Sequence, residues 1–210
     1  MFKYIVIEGI HGSGKSTVTK QLTETLKTKG INAQYLHFPN EEEDLGKIIR
    51  KTLADQDLYK HREVLGLLYA AASNAFHIKS RDDDKIYVLE RDSVTTGLIF
   101  QKDMPRETRL ENYKFGIKNL REQGIVVYVT IDKAIALQRL TARNEALKTE
   151  GEVRKDKAND KFIEDFDRLS HLYSTEMMPQ LDKLWLKHAI ADNSTTIENT
   201  IQQIIEKLWI

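Results

Sequence analysis

The residues best able to do chemistry in this 210-residue chain stand near its start. Gly9-Ile10-His11-Gly12-Ser13-Gly14-Lys15-Ser16 fits the phosphate-loop pattern G-x-x-x-x-G-K-[ST] without deviation. The glycines let the backbone turn with its amides facing inward, which makes a nest for anionic oxygens. The helix expected next directs the positive end of its dipole at the same point. Lys15 can then bridge the outer phosphates of a nucleoside triphosphate, and the Ser16 hydroxyl is placed to ligate magnesium. Gly9, His11, Gly12, Ser13, Gly14, Lys15, Ser16 and Thr17 are the candidate nucleotide-binding residues.

Such a loop needs a buried strand before it and a helix after it, and both are legible. Residues 4–7, inside the apolar run 2–8, read as a strand buried on both faces. Residues 17–29 read as a helix closed by Gly30. A strand over 33–38 stopped by Pro39, helices over 44–53 and 62–79, and a strand over 86–90 come next. A helix over 106–122, closed at Gln123-Gly124, precedes a strand over 125–131. Asp132 is a good N-cap for a helix running to about Glu145. A short strand at 189–191 and an amphipathic helix over 196–208 end the chain. Strands alternating with helices predict an α/β fold, a parallel five-stranded sheet flanked by helices in three layers.

Length divided by about 150 residues per domain favours one domain over 1–210. A 40% hydrophobic and 30% charged composition excludes disordered and low-complexity classes. Lys plus Arg and Asp plus Glu are both 32, so the formal charge is zero. That argues against broad nucleic-acid or anionic-membrane binding. There is no cysteine, which removes disulfides, thiol chemistry and Cys-zinc sites. The apolar N-terminal run is interrupted by Glu8 too soon for a secretory signal, and no stretch approaches 18 apolar residues. A cytoplasmic protein is expected. The six histidines show no H-x-x-x-H spacing, so no zinc site is expected.

A phosphate loop does not by itself choose a reaction. No Asn-Lys-x-Asp or Thr-Lys-x-Asp sequence follows a strand, so the guanine-reading element of a GTPase is missing. The strand at 86–90 ends in Glu90-Arg91-Asp92, and C-terminal strand ends converge on the ligand crevice of a parallel sheet. Glu90 would face the magnesium and Arg91 an acceptor phosphate, although the same residues also suit an ordinary charged turn. The charged segment 144–160 reads as a small lid. Between Arg139 and Lys157 stand six basic residues, Arg139, Arg143, Lys148, Arg154, Lys155 and Lys157, against four acidic ones. Arginines closing over a transferring phosphoryl group stabilise its charge and exclude water.

The order of these segments, over nearly the whole chain, resembles the thymidylate kinase family of nucleoside monophosphate kinases. His37-Phe38-Pro39 is similar to the family's Phe-Pro element, and Leu67-Leu68-Tyr69-Ala70-Ala71-Ala72 to its Leu-Leu-Phe-x-Ala helix. Glu90-Arg91-Asp92 stands where the family has Asp-Arg-Tyr, and Thr95-Thr96 where it has Ser-Thr or Ser-Gly. Asp156-Lys157-Ala158-Asn159 resembles its lid motif, with Phe166, Arg168 and Tyr173 matching downstream. Asp192, followed by Thr196-Ile197-Glu198, resembles the segment that borders adenine.

The resemblance implies transfer of the γ-phosphoryl group of ATP, with magnesium, to dTMP or a related pyrimidine deoxynucleotide, by a homodimer. It implies that Phe38, Pro39, Tyr69, Thr95 and Thr96 line the acceptor, with Tyr69 stacked on its base. A core aromatic on an apolar helix face is an equal reading of Tyr69. Lys15, Glu90, Arg91, Arg139, Arg143 and Arg154 would be catalytic, with Ser16 binding magnesium directly and Glu90 through water.

Departures fall on the acceptor side. His11 replaces a polar residue, commonly Asp, that contacts the acceptor sugar. Ser73 replaces a base-reading Arg, Glu41 a phosphate-holding Arg, and Asp92 a Tyr. Arg50 is the expected substitute for the phosphate-holding Arg. A deoxynucleoside kinase, a modified-nucleotide kinase and a catalytically weak nucleotide-binding scaffold are the alternatives.

Overall fold

The computed structural model describes residues 2–93, 99, 104–149 and 159–208, and the side chains of all of these except 59, 144, 146–149 and 159–164. Five strands, β1 (Tyr4–Glu8), β2 (Ala33–His37), β3 (Ile86–Glu90), β4 (Gly124–Thr130) and β5 (Lys187–Asp192), form one sheet in the order β2-β3-β1-β4-β5. Every pairing is parallel. The first strand is therefore central and covered on both faces. All five of its residues are buried, which is why it reads as a continuous apolar run rather than an alternating one.

The two faces build two cores. Tyr4 and Val6 join Leu89, Val126, Tyr128, Tyr113 and Tyr173 on one side. Ile5 and Ile7 join Val18, Leu22, Val88, Val127 and Ile204 on the other. The second side is covered by α1 (Lys15–Thr28) and α9 (Ile197–Leu208). The first takes residues from α4 (Arg106–Gly116), α5 (Leu120–Gln123) and α7 (Asn159–Leu172), with α3 (Arg62–Ser80) packed on α4. The helices α2 (Asp44–Ala54), α6 (Lys133–Thr149) and α8 (Met178–Lys183) complete the described residues, with a short 3₁₀ turn at Leu58–Lys60 and a π-turn at Tyr173–Met177.

After β1 the chain crosses to β3 by way of β2, then returns to the other side of β1 for β4 and β5. The order reverses at β1, and the crevice beyond that strand's C-terminal end is the expected ligand site.

Two expectations are corrected. The helix expected over 106–122 breaks after Gly116. Asn74 Nδ2 from α3 donates to the Phe115 carbonyl (2.7 Å) and Ser73 Oγ donates to the Gly116 carbonyl (3.1 Å). The Gly116 carbonyl would otherwise accept from Leu120, whose N–H donates to Ile117 instead, and the Phe115 carbonyl keeps only a long i+3 bond from Lys118 (3.4 Å). The helix after Asp132 runs past Glu145 to Thr149, so the first part of the expected lid continues α6, while 150–158 lies outside the described residues. The N-cap itself is as expected, with Asp132 Oδ1 accepting from the amides of Ala134 and Ile135. Residues 159–183, for which no element was expected, are helical.

Candidate active site

The phosphate loop begins directly where β1 ends. Gly12 and Gly14 take φ values of 81° and 80°, the left-handed region where a Cβ would be strained. Gly14 is the N-cap of α1, and no side chain caps the helix. Its first-turn amides are thus left to an external anion.

Lys15 opens α1 and is 9% exposed. Burial pushes its ammonium down to about 8, Arg91 adds to the effect, and Glu90 and Glu8 oppose it, with Arg143 a smaller push downward. Three cations are thus gathered around one loop, an arrangement complementary to a polyanion.

Ser16 follows in the first turn of α1. Its hydroxyl donates to Glu90 Oε1 (2.5 Å), while the Tyr35 hydroxyl from β2 donates to Glu90 Oε2 (3.0 Å). Burial, then the Glu90 carboxylate, pushes the Tyr35 phenol up to about 12, so it stays a donor. The sheet makes this meeting possible, because β3 lies between β1 and β2 and ends level with both.

Arg91 holds a left-handed backbone, φ 70°. Its Nη1 donates to Glu8 Oε2 (3.2 Å) and to the Tyr173 hydroxyl (3.3 Å), and its Nη2 donates to the Gly9 carbonyl (3.2 Å). The Tyr173 hydroxyl donates to the same carbonyl (3.3 Å), and its ring stacks on Tyr128 at 4.5 Å. The guanidinium therefore braces the root of the phosphate loop, a role the sequence did not show, while remaining beside Lys15.

On α6, Ala136 and Leu140 lie against Gly12, and Arg139 Nη1 lies 3.4 Å from where a Gly14 Cβ would stand. Arg139 and Arg143 are on the same helical side, three and seven residues after Ala136, which directs both toward the loop. His11 is exposed at the loop's tip, and Ser16 and Thr17 are exposed at the helix start. Asp192 ends β5 and accepts from the Ser194 amide (3.1 Å) and hydroxyl (2.6 Å).

On the acceptor side, Phe38 and Tyr69 come together with ring centroids 6.1 Å apart, and the Phe38–Pro39 bond is cis. Arg50 Nε donates to Glu41 Oε1 at 2.7 Å. Thus the acidic residue in the phosphate-holding position is itself paired to the expected substitute. Ser73 requires a correction. It is fully buried, and its hydroxyl is engaged by Gly116, so it fastens α3 to α4 instead of lining a base pocket. Thr95, Thr96 and Arg154 lie outside the described residues.

The thymidylate kinase family model matches residues 7–179, from the end of β1 into α8. The chain belongs to the thymidylate kinase family. It is 31% identical over 144 residues to the probable thymidylate kinase of Methanobrevibacter smithii, covering 68% of this chain and 71% of that one. It is 32% identical over 147 residues to the thymidylate kinase of Leptospira borgpetersenii, covering 68% and 70%. Likeness to the probable thymidylate kinase of Methanococcus maripaludis is lower, 25% over 213 residues, but spans 99% and 98%.

Within this family member, sequence reasoning overlooked Glu8, Tyr35 and Asn193. Glu8 carried a signal, a carboxylate at the end of an otherwise apolar strand just before the loop. Tyr35 and Asn193 carried none, because their partners are 55 and 180 residues away.

Proposed function

We propose that the protein transfers the γ-phosphoryl group of ATP to dTMP, or a related pyrimidine deoxynucleotide, giving ADP and the nucleoside diphosphate. An acceptor phosphate oxygen forms a bond to the γ-phosphorus as its bond to the β,γ-bridging oxygen breaks. The observation that carries this reading is the gathering of Lys15, Arg91 and Arg139 at the phosphate loop beside the Ser16–Glu90 pair. Names of relatives that cover about two thirds of the chain support thymidylate as acceptor.

The acceptor is already an anion, so no general base is required, and catalysis is positioning plus charge stabilisation. Lys15 binds the outer phosphates, the α1 amides cradle them, and Arg139 and Arg143 offset charge from the α6 side. Arg154 would join them from the lid. Phe38 and Tyr69 hold the acceptor base, with Arg50 reaching its phosphate.

Ser16 Oγ and Glu90 offer hard oxygens of the kind magnesium takes alongside retained waters and substrate phosphates. No group of three or more His, Cys, Asp or Glu side chains able to hold a metal occurs among the described residues, and such a site requires none. Bound there, magnesium would offset charge between the outer phosphates.

A deoxynucleoside kinase would use Glu90 as a base toward a sugar hydroxyl. Here both Glu90 oxygens accept from Ser16 and Tyr35, which favours the monophosphate kinase. A homodimer is supported by Leu67 and Ile78 on α3 and Phe115 on α4, each more than half exposed. No helix among the described residues is long and apolar enough to cross a membrane. A coupled ADP-release assay over a panel of nucleosides and monophosphates tests the function, and light scattering after gel filtration tests the dimer.

A further inference from the structure

We propose that Asn193 is a positioning residue for phosphate binding, acting through the peptide between Ser13 and Gly14. The inference rests on the phosphate-loop reading of the site. Asn193 follows β5, where its backbone N–H donates to the Thr130 carbonyl (3.0 Å). The residue is 3% exposed, and its Nδ2 donates to the Ser13 carbonyl at 2.7 Å. The other end of the amide is met as well, because Thr200 Oγ1 of α9 shares its one proton among Asn193 Oδ1 at 2.9 Å and the Asp192 and Thr196 carbonyls, both at 3.1 Å. Thr200 and Ser13 are fully buried. A carbonyl at one end and a hydroxyl at the other leave only one productive orientation for the amide.

A trans peptide carries its C=O and the following N–H in opposite directions. The only cis bond among the described residues is Phe38–Pro39. Fixing the Ser13 carbonyl toward Asn193 therefore fixes the Gly14 N–H away from it, and no backbone acceptor takes that N–H among the described residues. Gly14 is the N-cap of α1, so its amide is one of those an anion would meet first. The approach is close enough to exclude a side chain, since a Cβ at Gly14 would stand 2.5 Å from Asn193 Nδ2. Without the strap, this peptide can rotate and present its carbonyl oxygen to the phosphates instead. The strap ties the last helix of the fold to the loop at its start.

The test compares Asn193→Ala, Asn193→Asp and Thr200→Val with the parent, as full chains with magnesium. ADP affinity is measured by titration calorimetry well below each melting temperature, and Tm is measured separately. Asn193→Ala removes the donor and should weaken ADP binding about tenfold. Asn193→Asp places an acceptor against the Ser13 carbonyl and should weaken it about a hundredfold, whereas Thr200→Val, which only loosens the far end, should cost about threefold. The Michaelis constant for dTMP should hold.

ADP affinities equal to the parent's in folded Asn193→Ala and Thr200→Val would overturn the proposal. So would affinity losses that track Tm across the variants instead of following this order. If Asn193→Asp fails to fold, the other two variants still decide. A parent that binds no ADP overturns the phosphate-loop reading together with the strap, whereas one that binds ADP but does not phosphorylate dTMP leaves the strap standing.

Discussion

The Ser16 hydroxyl donates to Glu90 Oε1 across 2.5 Å, joining the first turn of the helix after β1 to the end of β3, 74 positions further along the chain. Ser16 is marked by the loop motif around it, whereas Glu90 meets it only through the fold. The parallel pairing of β1 with β3 brings them together, and the uncapped start of the helix gives them an anion to serve. Glu90→Gln should keep the fold, lower kcat about thirtyfold and raise the magnesium concentration needed for half-maximal rate. A magnesium dependence identical to the parent's would detach Glu90 from the metal.

Lys15 gives a pH dependence of defined sign. Its ammonium is pushed down to about 8 in the free protein, so it is charged below that pH and neutral above it. The kcat/KM for ATP should therefore fall about tenfold per pH unit above 8, because this ratio reports the free enzyme. At saturating ATP, kcat should hold to higher pH, since bound phosphates favour the charged form. Lys15→Arg should lose the alkaline limb of kcat/KM. A flat kcat/KM in the parent from neutral pH to well above 9 would contradict this.

Arg91 and Glu8 form a largely buried pair, at 15% and 0% side-chain exposure. Arg91→Met leaves the Glu8 charge without it and should cost about 3–5 kcal/mol. At about 2–4 °C per kcal/mol for a chain of this size, Tm should drop by roughly 6–20 °C. Adding Glu8→Gln should recover most of that loss while activity stays low. A single variant that melts with the parent would show that the pair does not brace the loop.

Arg50 is tied to Glu41 by a half-exposed ion pair that is worth little by itself. Arg50→Ala should raise the KM for the acceptor by about one to two orders of magnitude, the range of a charge-assisted hydrogen bond, with that for ATP unchanged. Glu41→Ala, which frees the guanidinium, should leave the acceptor KM equal or lower. Unaltered acceptor kinetics in Arg50→Ala would remove it from the acceptor site.

The donor side was legible because its signals are local. Gly12, Gly14, Lys15 and Ser16 lie within five consecutive residues, and the short β-branched apolar run before them is what a strand buried on both faces needs. Strand ends were also readable, since Glu90 stands where the apolar residues stop. What escaped was whatever depended on contacts between distant segments. The break after Gly116 comes from Ser73 and Asn74 on another helix taking its carbonyls. The same contact moved Ser73 from the expected acceptor pocket into the packing between helices. Arg91 could be placed at the crevice, but only the fold shows it gripping Glu8 and the Gly9 carbonyl.

ADP release by the purified full-length chain with ATP, magnesium and dTMP, run beside Lys15→Met, is the most direct measurement. Turnover of dTMP is expected to exceed that of nucleosides, and Lys15→Met should lower kcat by about a hundredfold or more, while melting as the parent does. Two results would contradict it. One is no phosphorylation of dTMP at millimolar concentration. The other is Lys15→Met activity within about tenfold of the parent, since that loss is only about 1.4 kcal/mol of transition-state stabilisation.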